Sequence, residues 1–214
     1  PLVAQPDGFA GPGEQTVFDT EAGVDLHQLK IQTLDHAAAD ITVDGRIEEA
    51  TWRSIPYYDN MGVSIPDLGT KAEYATRIRL FATEKGLFVS ADMEQPPETL
   101  VERLTRRDDW VDRDLFGVTI DASGEAKLGY WFYVALGNSL NDGKVLPERR
   151  FLRDWDGPWT AKAARTATGW SAEMYLPWSM MDMPQRDGLR NMGFVASRMV
   201  SHRNQRYQWP GYGV

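Results

Sequence analysis

A chain of 214 residues with 42% hydrophobic and 11% aromatic residues is long enough and apolar enough to fold around one sizeable core. Its formal net charge of −8 argues against a nucleic-acid partner, because phosphate binding needs concentrated lysine and arginine. The absence of cysteine excludes disulfides, thiolate metal sites and cysteine nucleophiles. No run of 18 apolar residues is present, so the sequence predicts no membrane-spanning helix.

The sequence divides into two parts. Residues 1–38 contain scattered glycine and proline and little periodicity, which indicates an irregular arm with one edge strand near Leu29–Leu34. Residues 39–214 carry regular patterns of strands and turns, which predict a single folded domain.

The domain begins with a short strand, an Asp44-Gly45 turn and one helical turn that places Trp52 beneath a sheet. We expect Trp52 to belong to the core. Two paired strands follow at Thr76–Ala82 and Leu87–Asp92, since apolar and polar residues alternate in the first and a turn separates the two.

A hairpin within residues 112–143 is the centre of the pattern. Alternate residues of Leu115–Ile120 and of Tyr130–Leu136 share faces, and both faces carry apolar bulk. Asp121–Gly124 between them has the residues of a hairpin turn. The hairpin is therefore predicted to lie centrally in a sheet that is covered on both sides.

The remaining sequence adds strands and one long connection. Glu98–Arg107 has the spacing of a short helix, and Asn138–Trp159 is predicted as a long loop. Ala161–Arg165 and Trp170–Leu176 form another hairpin, and Met192–Val200 is a last strand before a polar, aromatic tail. Together these elements predict an all-β fold, a single antiparallel β-sandwich of jelly-roll type with one or two short helices.

Several short motifs follow one another in a fixed order between residues 41 and 209. They are Asp44-Gly45 with Glu49 and Trp52, Arg107-Asp108 before Asp112–Asp114, Val118–Asp121, Trp155–Trp159, Gly169–Glu173 and Leu176-Pro177. This ordered set resembles the family 9 carbohydrate-binding modules. It is most similar to the variant that precedes an outer-membrane β-barrel in large bacterial surface proteins.

The resemblance implies a β-sandwich that binds a saccharide or polysaccharide without catalysis, with structural calcium. It also implies a periplasmic, outer-membrane-associated or secreted location, with a C-terminal outer-membrane barrel as a partner in the full-length protein. The domain by itself is expected to be monomeric. Related sandwiches bind haem instead of sugar, so a haem-binding domain of the cytochrome type remains an alternative.

Aromatic residues in polar segments are the candidates for ligand binding, because sugar rings stack on aromatic faces while their hydroxyls need polar partners. The candidates are Trp110, Trp155 and Trp159, with Arg153, Asp154 and Asp156 as polar partners. The alternative is that these tryptophans cap the ends of the core.

Four carboxylates, Asp108, Asp109, Asp112 and Asp114, lie within seven residues and predict a calcium site, because calcium takes oxygen ligands. The alternative is a solvated loop in which they pair with the four neighbouring arginines, Arg103, Arg106, Arg107 and Arg113.

No spacing typical of a catalytic triad or a metalloprotease appears, and the three histidines, His27, His36 and His202, are far apart. The sequence therefore predicts a protein that is not an enzyme. The rival to saccharide binding is a structural or plug-like domain that serves an attached barrel and binds no sugar.

Overall fold

The computed structural model describes residues 2–4, 16–19, 25–184 and 190–210, with side chains from Ile31 onward except that of Arg149. Within these ranges the chain forms one α-helix, α1 (Ala50–Ser54), and fourteen strands. The first seven strands are β1 (Leu2–Ala4), β2 (Thr16–Asp19), β3 (Asp25–Thr33), β4 (Gly62–Ile65), β5 (Thr76–Ala82), β6 (Gly86–Glu94) and β7 (Leu115–Asp121). The others are β8 (Gly129–Ala135), β9 (Leu140–Leu146), β10 (Arg150–Leu152), β11 (Thr160–Thr166), β12 (Gly169–Pro177), β13 (Asn191–Val200) and β14 (Gln205–Trp209). Short 3-10 helices lie at His36–Ala38, Pro97–Thr99, Pro147–Arg149, Trp178–Met180 and Ser201–Arg203.

The strands form two sheets that pack face to face. The first sheet has the order β3-β5-β6-β12-β11, and the second has the order β10-β9-β8-β7-β13-β14-β4. β1 pairs with β13 of the second sheet and with β3 of the first, and so connects them. Pairing is antiparallel except between β1 and β3 and between β3 and β5. This architecture confirms the predicted all-β sandwich.

The core lies between the sheets and is built from alternate residues of each strand. Phe116, Val118 and Ile120 of β7 are fully buried, as is Phe132 of β8. β7 pairs with β8 on one side and with β13 on the other, so the predicted central hairpin is central. Trp170 on β12 contributes from the first sheet to the same apolar cluster.

A second layer covers the outer face of the first sheet. Trp52 of α1 is fully buried, and its ring packs edge-on against Phe81 with 5.2 Å between ring centroids. The Trp52 indole donates to Glu173 Oε1 at 2.7 Å, while the Gly45 amide donates to Glu173 Oε2 at 2.8 Å. Gly45 has φ +92°, and a Cβ there would lie 2.7 Å from the carbonyl carbon of Ala163, so the turn needs glycine. The core role predicted for Trp52 is confirmed.

Three segments differ from the sequence predictions. Glu98–Arg107 is not a helix beyond the short 3-10 turn, because other segments bind its amides: Val101 N–H donates to Asp114 and Thr105 N–H to Ser139. The predicted loop Asn138–Trp159 contains β9 and β10, and the predicted polar tail contains β14. In the second and third segments, polar residues lie within paired strands, which hides the alternation of polar and apolar residues.

The strand predicted near Leu29–Leu34 overlaps β3 (Asp25–Thr33). The prediction of an edge strand is wrong, because β3 pairs with both β1 and β5. Much of the rest of the predicted arm, residues 1–38, falls outside the described residues. No helix of the described chain is long and apolar enough to cross a membrane.

Candidate functional site

A cleft of about 530 Å³ opens between residues 101–115 and the end of β13. Its largest exposed ring is that of Trp110, with an exposed fraction of 41%. Polar side chains line the same cleft, among them Arg103, Asp112, His202 and Asn204. The cleft therefore combines a flat apolar surface with hydrogen-bond donors and acceptors.

Trp110 is held by side chains that project from the outer face of the second sheet. Its ring centroid lies 5.9 Å from that of Trp131 and 5.9 Å from that of Tyr133, both on β8. The Arg153 guanidinium lies over the Trp110 ring, 5.2 Å from its centroid. Trp131 is itself only 2% exposed, so Trp110 rests on a rigid support while part of its surface remains open.

The backbone before Trp110 is fixed by a buried arginine. Arg113 is 2% exposed and donates from Nη2 to the Asp109 carbonyl at 3.0 Å and to Asn141 Oδ1 at 2.7 Å. It also donates from Nη1 to the Thr105 hydroxyl. Asn141 Nδ2 donates to the same Asp109 carbonyl at 3.3 Å. The loop that presents Trp110 is thereby anchored to β9.

Asp114 joins the two walls of the cleft. It is fully buried, and its Oδ2 accepts from Gln95 Nε2 and from the Val101 amide, both at 2.9 Å. Its Oδ1 accepts from the Ser201 amide at 2.8 Å. Charge-assisted hydrogen bonds of this kind are stronger than neutral ones, so Asp114 fixes the spacing between Val101 and Ser201.

A separate group of three carboxylates, Asp108, Asp142 and Asp156, has oxygens within 4.8 Å of one another in the described residues. The Arg107 guanidinium contacts all of them, at 2.6 Å from Asp142, 3.2 Å from Asp156 and 3.9 Å from Asp108. Asp142 is fully buried, and its other oxygen accepts from the Gly157 amide at 2.7 Å. Burial raises the pKa of Asp108, and the nearby Asp142 and Asp156 charges raise it further, against the opposing effect of the Asp142 amide.

The four aspartates of the predicted calcium site do not converge. Asp108 belongs to the group around Arg107, Asp114 spends both oxygens on protein N–H groups, and Asp109 and Asp112 are exposed outside that group. The carboxylate oxygens around Arg107 have the chemistry that calcium prefers, but an ion among them would have to displace the guanidinium. Calcium binding stays a prediction.

The predicted ligand residues divide between the cleft and the core. Trp110 borders the cleft with Arg153 over its ring, as described. Trp159 is 4% exposed and packs edge-on against Phe132 at 5.2 Å, so it follows the core-capping alternative. Trp155 is half-buried, with its ring 5.2 Å from that of Tyr130.

Asp154 and Asp156 are not among the residues that line the cleft beside Trp110. Both are exposed, and Asp156 forms the ion pair with Arg107.

Sequence reasoning missed His202 and Asn204, which line the cleft from the turn between β13 and β14. Asn204 has the left-handed backbone that asparagine tolerates, with φ 51°. A turn at this position would have been visible had the tail been recognised as a strand. Asp142 was missed because a buried aspartate within a strand carries no pattern of its own.

Comparison with known proteins identifies the fold. No protein-family model matches the chain, and no curated protein matches it. A family 9 carbohydrate-binding module from Caldicellulosiruptor kristjanssonii in complex with glucose aligns with a TM-score of 0.58 at 13% identity, over 82% of this chain and 83% of that one. The fold is similar to that of the family 9 carbohydrate-binding modules.

Two further structures agree. The Caldicellulosiruptor kristjanssonii module in complex with cellotriose aligns with a TM-score of 0.57 at 13% identity, over 79% of each chain. A protein from Bacteroides uniformis provisionally described as carbohydrate-binding aligns with a TM-score of 0.66 at 12% identity, over 85% of this chain and 88% of that one. At such low identity, the likeness shows the fold alone.

Proposed function

We propose that the chain is a non-catalytic carbohydrate-binding domain that holds a saccharide in the cleft beside Trp110. The observation that carries the proposal is that the Trp110 ring is held in place by its neighbours and yet remains partly exposed. It is 41% exposed, although it rests on Trp131 and Tyr133 and under the Arg153 guanidinium. An aromatic ring held rigidly beside an open cleft loses little entropy on binding, which favours it as an anchor.

The lining supplies the polar contacts that a sugar needs. The Asp112 carboxylate is an acceptor for hydroxyl groups, Arg103 is a donor, and Asn204 and His202 offer both kinds of atom. The apolar C–H face of a sugar ring would lie on Trp110 while these groups bind its edge. The cleft volume of about 530 Å³ falls in the range of small-molecule sites.

The solved structures of similar fold support the saccharide class. Two of them were obtained in complex with cellotriose and with glucose. The lining also favours binding over hydrolysis, since glycosidases use a pair of carboxylates across the scissile bond and Asp112 is the single acidic residue among the cleft's lining residues in the described chain.

The envelope location and the attached outer-membrane barrel belong to the same proposal. They are supported by the resemblance of the ordered motifs, which runs through residues 41–209. A plug-like domain without a sugar ligand is the rival, and it predicts that no saccharide binds at the cleft.

Glycan-array screening followed by calorimetric titration tests the proposal. We expect at least one saccharide to bind, and Trp110→Ala to weaken it by about tenfold or more, since a lost anchor costs at least about 1.4 kcal/mol. Phe151→Ala is the matched control, because Phe151 is a 58% exposed ring that does not line the cleft. Undiminished binding by Trp110→Ala, or no binding to any saccharide, would overturn the proposal.

A further inference from the structure

A second cavity, of about 510 Å³, lies on the outer face of the first sheet. Its floor is formed by Arg79 of β5, Asp92 of β6 and Ser171 of β12, which are neighbouring strands. Asp92 and Ser171 are directly paired across β6 and β12. We call this the arginine cavity, because arginines also form its rim.

The arginine cavity has an excess of positive charge. Four arginines line it, namely Arg46, Arg53, Arg79 and Arg165, against the two carboxylates Glu48 and Asp92. Asp92 is also engaged by Arg77, at 3.5 Å. The local excess contrasts with the net charge of −8 for the whole chain, so the arginines are concentrated here against the general trend.

Arg79 is the most buried of these four arginines, since the other three are exposed. Its Nε is buried without a hydrogen-bond partner, and its guanidinium lies over the Tyr57 ring, 5.3 Å from the centroid. Burial lowers the pKa of Arg79, and Asp92 opposes that shift only in part. At the rim the Thr166 hydroxyl is likewise buried without a partner. Unpaired buried polar groups are costly, so two of them beside one cavity point to a missing ligand.

The other arginines keep donors available. Arg53 donates from Nη2 to the Glu48 carbonyl at 2.6 Å, and Arg165 donates from Nε to Glu102 at 2.8 Å. Each guanidinium has five N–H donors, so these single bonds leave most of them free. For Arg46 the described structure shows no side-chain partner at all.

We propose that the arginine cavity binds a compact oxyanion, a carboxylate, sulfate or phosphate group, with Arg79 as its central ligand. The planar guanidinium can donate two parallel hydrogen bonds to two oxygens of such a group, and these bonds are stronger where water is partly excluded. The site lies on the first sheet, whereas the Trp110 cleft lies beside β7 and β13 of the second, so it is a separate site that does not depend on saccharide binding at the cleft.

Titration and thermal melting of the full chain with sodium glucuronate, sodium sulfate and sodium phosphate test this proposal. Sodium chloride at matched ionic strength and neutral glucose are the controls. We expect saturable binding and a higher melting temperature with at least one oxyanion. If only glucuronate binds, the ligand group is a carboxylate carried on a sugar. If sulfate or phosphate binds, the ligand is an ester group or the free ion.

Arg79→Met separates this site from a general salt effect. We expect it to weaken oxyanion binding by about tenfold or more, equivalent to 1.4 kcal/mol, and to abolish the rise in melting temperature. The variant should fold at least as stably as the wild type without ligand, because the Arg79 side chain buries an Nε–H that has no hydrogen-bond partner in the described chain, and methionine removes it. Arg150→Met, an exposed arginine on β10, and Trp110→Ala should both leave oxyanion binding unchanged. Binding that survives Arg79→Met, or none with any of the three anions, would overturn the proposal.

Discussion

Single buried carboxylates hold this molecule together at the residue scale, and Glu173 is the clearest case. It accepts hydrogen bonds from the Asp44 amide at 3.0 Å, from the Gly45 amide at 2.8 Å and from the Trp52 indole at 2.7 Å. Burial nevertheless outweighs these donors and raises the pKa of Glu173 to about 7. One side chain thus ties the layer of α1 to the first sheet.

The raised pKa gives a pH dependence of known sign. Below the ordinary pKa of 4.5, Glu173 is protonated in both the folded and the unfolded state, and the folded state has its full stability. As pH rises from 4.5 through 7, the unfolded chain ionises more readily, so the free energy of unfolding falls by about 2–3 kcal/mol. Urea unfolding at pH 5 and pH 8 measures the change.

Glu173→Gln is the control for this prediction, since it cannot ionise. Its free energy of unfolding should vary less between the two pH values than that of the wild type. If the free energy of unfolding changes by the same amount between pH 5 and pH 8 in both proteins, Glu173 does not titrate in this range.

The Arg107 group gives a second prediction at the same scale. Arg107→Gln leaves the fully buried Asp142 carboxylate without its cation, 2.6 Å away in the wild type. Because Arg107 itself is 36% exposed, we expect a moderate loss of about 1–3 kcal/mol in the free energy of unfolding. Calcium should restore part of the lost stability by binding between the three carboxylates. Arg106→Gln, a change at an exposed neighbouring arginine, should show neither effect.

Melting curves in chelator and in calcium distinguish the outcomes. A wild type whose melting temperature also rises with calcium would support calcium binding by Asp108, Asp142 and Asp156, with the ion displacing the guanidinium. An Arg107→Gln variant as stable as the wild type would contradict the role of the ion pairs.

At the scale of elements, the buried Asp114 organises the loop 101–114. Its neighbour Asp112 is exposed, so variants of the two aspartates should differ in stability. Asp114→Asn would place an amide N–H₂ against one of its N–H donors, either at Val101 or at Ser201. We expect this variant to lose about 1–3 kcal/mol of stability, together with saccharide affinity, because both walls of the cleft shift. Asp112→Asn should leave stability unchanged, since Asp112 is exposed. Urea unfolding of the two variants measures the difference, and equal stability would contradict the account.

The elements also show what the sequence could predict. The β7–β8 hairpin was predictable because Phe116, Val118 and Phe132 alternate with residues of the other face. β9 was not, because Asn141 and Asp142 are buried polar residues whose partners, Arg113 and Arg107, come from a distant loop. Pattern reasoning counts such residues as solvent-exposed, whereas tertiary hydrogen bonds place them inside.

The candidate site was predicted in part for the same reason. Trp110 was found because an aromatic residue among aspartates is conspicuous in the sequence. The sequence also predicts Trp159 as a ligand residue although its ring lies in the core, since sequence alone cannot separate an exposed ring from a buried one. His202 and Asn204 reach the cleft only through the pairing of β13 with β14.

The two sheets of the whole molecule carry separate candidate sites around one core. The Trp110 cleft lies beside β7 and β13, and the arginine cavity lies on β5, β6 and β12. No described residue lines both. We therefore expect ligands to bind to the two sites independently, so saturating one with its ligand should leave the dissociation constant at the other unchanged. Calorimetric titration of each ligand with the other present measures this, and a change of about tenfold would show coupling.

Chemical-shift mapping by NMR tests most directly whether a saccharide binds beside Trp110. A titration with the saccharide found by screening should perturb the Trp110 indole together with residues 101–113 and 201–204. Perturbations should be absent from Trp159 in the core and from Arg79 in the arginine cavity. Shifts that cluster around residues 153–159 or around Arg79, with Trp110 unaffected, would contradict the account.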